Sequence, residues 1–72
     1  MKLDFEIANE GAIVLFTPLT ERARRWVEAN VAEDRQWFGP FLMIENAFAQ
    51  VLVHGMFIDG LLLGAYQETY AQ

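Results

Sequence analysis

The sequence predicts an α+β fold of order ββαβαβ, with a small four-stranded mixed sheet packed against two helices over residues 1–66. Three features carry that expectation. Period-two alternation opens the chain, apolar residues at helical spacing follow Thr20, and two short apolar runs bracket a second helical stretch.

Leu3, Phe5 and Ile7 alternate with Asp4, Glu6 and Ala8, which reads as a half-buried edge strand. Asn9-Glu10-Gly11 interrupts it, with glycine at the position that suits the left-handed residue of a three-residue hairpin loop. Ala12 to Phe16 is the second strand, apolar at every position and therefore interior. Pro18 ends it because proline has no N–H for the ladder. Thr20 is the expected N-cap of a helix running to about Ala32, with Glu21 at its positive end. Ala23, Trp26, Val27, Asn30 and Val31 form its inward stripe, and Glu21 to Arg25 is a favourable i,i+4 pair. Glu33 to Gln36 is a polar connection, and Trp37-Phe38-Gly39-Pro40 turns the chain back. Phe41 to Ile44 is the third strand. Asn46 caps a second helix from Ala47 to about Asp59, closed by Gly60 in the left-handed conformation. Leu61 to Tyr66 is the fourth strand, and residues 67–72 form a patternless C-terminal tail. Right-handed crossovers are expected from the second strand to the third and from the third to the fourth.

Two regions hold more apolar surface than two helices obviously hide. At about 100° per residue, the second helix gathers Phe48, Val51, Leu52, Gly55, Met56 and Ile58 on one broad face. Val53 and Phe57 then fall beside Gln50 and His54 on the other, which makes Gln50, Val53 and Phe57 candidates for a homodimer interface. The later strands are apolar on both faces. Helices on opposite sheet faces, helped by Trp37, Phe38 and Tyr66, would cover them; otherwise an intermolecular interface must.

The 72 residues contain no cysteine, no serine, one lysine (Lys2) and one histidine (His54). Nucleophilic catalysis is left with Thr17, Thr20, Thr69 and Lys2, all remote in sequence from the sole imidazole. Asp4 with Glu6, and Glu33 with Asp34, read as solvated carboxylates, and no zinc or EF-hand spacing is present. The glycines stand singly at 11, 39, 55, 60 and 64, so no phosphate cradle forms. Arg22, Arg24 and Arg25 are flanked by Glu21 and Glu28 and read as a salt-bridged helix surface. The expectation is a non-enzymatic protein without cofactor or metal. Ten acids against five basic residues give a net charge of −5, which disfavours direct nucleic-acid binding. No apolar run reaches the ~20 residues of a membrane span. Asp4 and Glu6 occupy the place of a signal peptide's apolar region, which predicts a cytoplasmic protein.

A protein partner remains. Asp4 and Glu6 on the first strand, Glu10 at the hairpin tip and Glu33 with Asp34 after the first helix are the candidate contacts. Alternate strand residues lie roughly 6.6–7 Å apart, close to the phosphate spacing of one nucleic-acid strand. Such acids can mimic nucleic acid toward a basic groove, or simply keep an edge strand from aggregating.

The stretches Ile7-Ala8-Asn9-Glu10-Gly11-Ala12-Ile13, Thr17-Pro18-Leu19-Thr20, Ala23-Arg24-Arg25-Trp26-Val27, Gln36-Trp37-Phe38-Gly39 and Gly55-Met56 to Asp59-Gly60-Leu61 resemble a family of small proteins from phages and mobile elements of proteobacteria. The likeness spans residues 3–63 and departs at Ala47-Phe48, where a basic–aromatic pair is expected. That family includes an anti-CRISPR acting on a type I-C surveillance complex. The resemblance implies an inhibitor that binds a Cas effector subunit and blocks target DNA by charge and bulk. The alternative is a homodimeric structural or adaptor protein of a mobile element.

Overall fold

In the computed structural model, which describes residues 2–66, the predicted hairpin forms first. β1 (Phe5–Asn9) and β2 (Ile13–Pro18) run antiparallel, with Ile7 opposite Phe16 and Asn9 opposite Val14. The loop closes because Gly11 takes φ +90° and its N–H donates to Asn9 Oδ1 at 2.9 Å, while Glu10 N donates to Ile13 O. α1 (Glu21–Asn30) starts at the expected cap, where Thr20 Oγ1 accepts from Ala23 N at 3.1 Å. β3 (Gln36–Phe38) and β4 (Phe41–Glu45) then form a second hairpin about Gly39-Pro40. α2 (Asn46–Ile58) and β5 (Leu63–Ala65) complete the described chain, with Gly60 between them at φ +80° as expected.

The α+β class stands, with five strands instead of four. The added strand is β3. Its three exposed residues are too few to show a period, so the sequence reads it as part of a connection. Sheet order is β3-β4-β2-β1-β5, antiparallel throughout except for β1 with β5. The first strand is therefore interior rather than an edge. α2 carries the chain back so that β5 lies along the outer side of β1, and Leu62 O accepts from both Asp4 N and Phe5 N. The expected third strand, β4, is antiparallel to β2, but α1 leads first into β3, which runs parallel to β2 with β4 between them; β4 and β5, joined by α2, also run in one direction. The expected tail, residues 67–72, lies outside the described residues.

Register assigns the faces. Phe5, Ile7, Val14, Phe16, Leu42, Ile44 and Leu63 share one face of the sheet. Both helices pack there: Ala23 and Val27 from α1, and Ala49 and Met56 from α2, are buried with Phe5, Val14, Phe16, Leu42 and Leu61. Trp26 joins the helices. Its ring sits edge-on to Phe5 at 6.3 Å, its Nε1 donates to Asp59 Oδ2 at 2.7 Å, and a Cβ on Gly55 would lie 3.2 Å from it. The opposite face carries Glu6, Ala8, Ile13, Leu15, Phe41 and Met43, and no described helix covers it. Helices on opposite faces are thus excluded. Phe41 stacks on Phe38 and meets Tyr66 edge-on, so aromatic side chains supply part of the cover.

α2 is rotated from its expected setting. Ala49 and Met56 point to the core with Leu52 and Val53 beside them, whereas Phe48, Val51 and Ile58 are 61%, 70% and 66% exposed. The tight Gly55–Trp26 approach fixes this rotation, and a helix that is apolar all round carries no sequence signal to contradict it. Two further expectations are corrected. Asn30 is exposed and folds its side chain back to Trp26 O. Asn46 is the first residue of α2 instead of its cap, and its amide ties the helix to the first hairpin through Gly11 O at 2.8 Å.

Candidate functional site

The five acids proposed as one contact edge are separated by the fold. Asp4 lies just before β1 and is buried, with 3% of its surface exposed. Its Oδ1 accepts from Thr20 Oγ1 at 2.6 Å and Arg22 Nε at 3.1 Å, and its Oδ2 accepts from Arg22 Nη2 at 2.8 Å and Leu62 N at 2.9 Å. Arg22 also donates to Gly60 O at 2.8 Å. These donors hold the carboxyl far below the usual carboxylate range, the Arg22 guanidinium first and the Thr20 hydroxyl next. The same pair raises Arg22. Asp4 ties the entry of β1, the start of α1 and the α2–β5 loop together, and it is withdrawn from any partner. The alternation that identified it as a strand-face acid could not reveal Arg22, eighteen positions away.

Glu6 is half-buried on the sheet face opposite the helices, between Thr17 and Gly64. Glu10 sits exposed at the tip of the first hairpin, at the other end of β1. Glu33 and Asp34 are exposed in the connection after α1. Asp34 shares a groove with Glu45, the last residue of β4, which the sequence reading passed over. Glu45 pairs in register with Ile13, three residues beyond Glu10, and Asn46 N donates to Ala12 O at 2.8 Å. The hairpin tip, the end of β4 and the post-α1 connection therefore meet at one end of the sheet. Asp34 and Glu45 border one groove there, and Glu10 lies on the hairpin tip beside the end of β4.

The groove itself is apolar. It runs between the end of α1 and the start of α2, holds about 570 Å³, and is floored by Val31, Ile44 and Leu52, with Phe48 and Val51 on its wall. Arg35 also borders it, but its guanidinium is engaged by the two carbonyls just after α1, donating to Val31 O at 3.2 Å and Ala32 O at 3.1 Å. Among the described residues none of Glu10, Glu33, Asp34 and Glu45 makes an ion pair. An apolar centre with an unneutralised acidic rim is the composition of a protein-binding patch. The sequence does hold a signal for it: from Asn46 to Ile58 there is no Asp, Glu, Lys or Arg, which a helix surrounded by water would carry.

Gln50, Val53 and Phe57, the candidate dimer residues, line a second groove on the other side of α2. It holds about 450 Å³ above β1 and β5, with Ile7, Val14 and Leu63 beneath and His54 at its rim. Val53 is not on an outward face as expected; it packs partly into the core, whereas Phe57 is 73% exposed. The arginines behave as a helix surface, with Arg24 and Arg25 each within 4 Å of Glu21, at 3.8 and 3.5 Å. Among the described residues no three of His, Cys, Asp and Glu gather as a metal site, and no helix is long and apolar enough to cross a membrane. Comparison with protein families, with curated proteins and with solved structures finds no match to this chain.

Proposed function

We propose that this chain is a non-enzymatic binding protein whose partner is a protein with a basic surface, engaged through the acid-rimmed groove between α1 and α2. One observation carries the reading: Asp34 and Glu45 flank an apolar groove that Phe48 and Val51 leave open. Exposed aromatic and aliphatic side chains supply the area a partner would cover, and the carboxylates select a basic one. The sharper form of the proposal rests on the family resemblance alone. In that form the chain is an anti-CRISPR-type inhibitor acting in the cytoplasm of a bacterial host. It seats a basic, DNA-handling surface of a Cas effector complex, of type I by the resemblance, and occludes target DNA.

The test is capture of purified type I effector complexes by the tagged chain, with and without target DNA. Wild type should retain a complex and lose it to excess target DNA. Reversal of Glu10, Glu33, Asp34 and Glu45 to lysine should abolish capture with an unchanged circular-dichroism spectrum. Glu28→Lys, exposed on the outer side of α1, should leave capture intact. Equal capture by the four-site variant would exclude the acidic groove as the contact.

A further inference from the structure

We infer that the occupant of the acid-rimmed groove is an amphipathic helix of the basic partner, laid along the outer side of α2. The inference rests on the groove as the contact site and adds the shape and charge of what binds there. Phe48, Val51 and Ile58 stand well out of the core on α2. They follow one another at steps of three and seven residues, so they share an arc of about 80° and form a stripe about 15 Å long. The stripe begins in the groove, which Phe48 and Val51 line together with Val31, Ile44 and Leu52. Its intervening heptad position is Gly55, against which the Trp26 ring packs. Steps of three, four and three are the seam along which one helix meets another. A receiving surface with helical period matches the ridge of a docking helix, and it offers an extended peptide no strand to pair with.

Charge selects the owner of that helix. α2 has no Asp, Glu, Lys or Arg, whereas Asp34 and Glu45 border the groove where the stripe begins, and among the described residues neither makes an ion pair. A docking helix complements both parts when Lys or Arg flank its apolar seam. The stems of those side chains then lie on Phe48 and Val51 while their cations meet the carboxylates. A second copy of this chain supplies no such helix. Its α2 has no cation, Arg22 is bound to Asp4, Arg24 and Arg25 lie beside Glu21, and Arg35 is held by the Val31 and Ala32 carbonyls. Two chains of net charge −5 also repel. Residues 67–72 bring Glu68 and neither Lys nor Arg. The complement is therefore a basic, apolar-seamed helix on another protein.

NMR titration of the isotope-labelled chain tests it with a synthetic helical peptide about two heptads long, carrying leucines along one seam and lysines beside them. The amides of Asp34, Glu45, Phe48, Val51 and Ile58 should shift and saturate. A peptide of the same composition with the leucines scrambled off the seam should not bind, nor should one with glutamate in place of lysine. Val51→Glu should abolish binding, and Asp34→Lys with Glu45→Lys should weaken it about tenfold or more. Phe57→Glu, exposed on the other flank of α2, should bind as wild type does. Equal binding of the scrambled or glutamate peptide, retained binding by Val51→Glu, or no binding by wild type overturns the inference. Shifts of the same amides on diluting the free chain would assign the stripe to a second copy and also overturn it. Capture of effector complexes without peptide binding would keep the acidic groove as a contact and remove the helical occupant. Peptide binding without capture would keep the helical occupant and remove the effector complex as its owner.

Discussion

Asp4 has four hydrogen bonds and one buried carboxylate, and its replacement tests the stability of the whole junction it holds. Asp4→Ala strands the Leu62 N–H and leaves Arg22 without its partner, so the expected loss is roughly 2–4 kcal/mol. Chemical denaturation measures it, and Glu6→Lys on the solvent-facing side of the sheet should change stability far less. The same carboxylate sets an acid limit. Its pKa is lowered in the folded protein, so its contribution is complete above the unfolded value near 4 and fades as pH falls below it. Unfolding midpoints between neutral pH and acid should therefore decline in wild type, and the decline should be shallower in Asp4→Ala. Sequence reading placed Asp4 correctly at the mouth of a strand but on the wrong side of the protein surface. A partner found only after the chain folds cannot be read from local alternation.

Among the elements, α1 followed the sequence closely because its determinants are local. Thr20 caps it, Ala23 and Val27 face inward, and Glu21 meets Arg25 one turn later. Thr20→Ala should cost about 1–2 kcal/mol, toward the upper end because the hydroxyl also donates to Asp4 Oδ1. Thermal melts of the pair Thr20→Ala and Asp4→Ala should show sub-additive losses, since both remove one network. α2 departed from the sequence reading because it is apolar on every side, so its rotation depends on what it packs against. Gly55 against Trp26 decides it. Gly55→Leu should force the helices apart and lower the melting temperature, whereas Val51→Glu and Ile58→Glu should leave it nearly unchanged and improve solubility. β3 was illegible for another reason: three exposed residues have no period, although Gly39-Pro40 between two apolar pairs is a hairpin spacing.

The described residues present an acid-rimmed groove between α1 and α2 and a sheet face that no described helix covers. Binding of a basic partner at the groove should weaken steeply as salt rises, which titration in increasing salt measures. The sequence by itself determined the α+β class, the first hairpin, the cap and approximate extent of α1, the glycine closing α2 and an excess of apolar surface on α2, because each depends on neighbours within a few residues. Tertiary structure decided the rest. It made β1 interior by returning β5 beside it, put both helices on one sheet face, withdrew Asp4 into an ion pair, and drew Glu10, Asp34 and Glu45 to one end. Those outcomes depend on pairings between distant segments, where burial and hydrogen bonding across the fold override what any local window of sequence can specify.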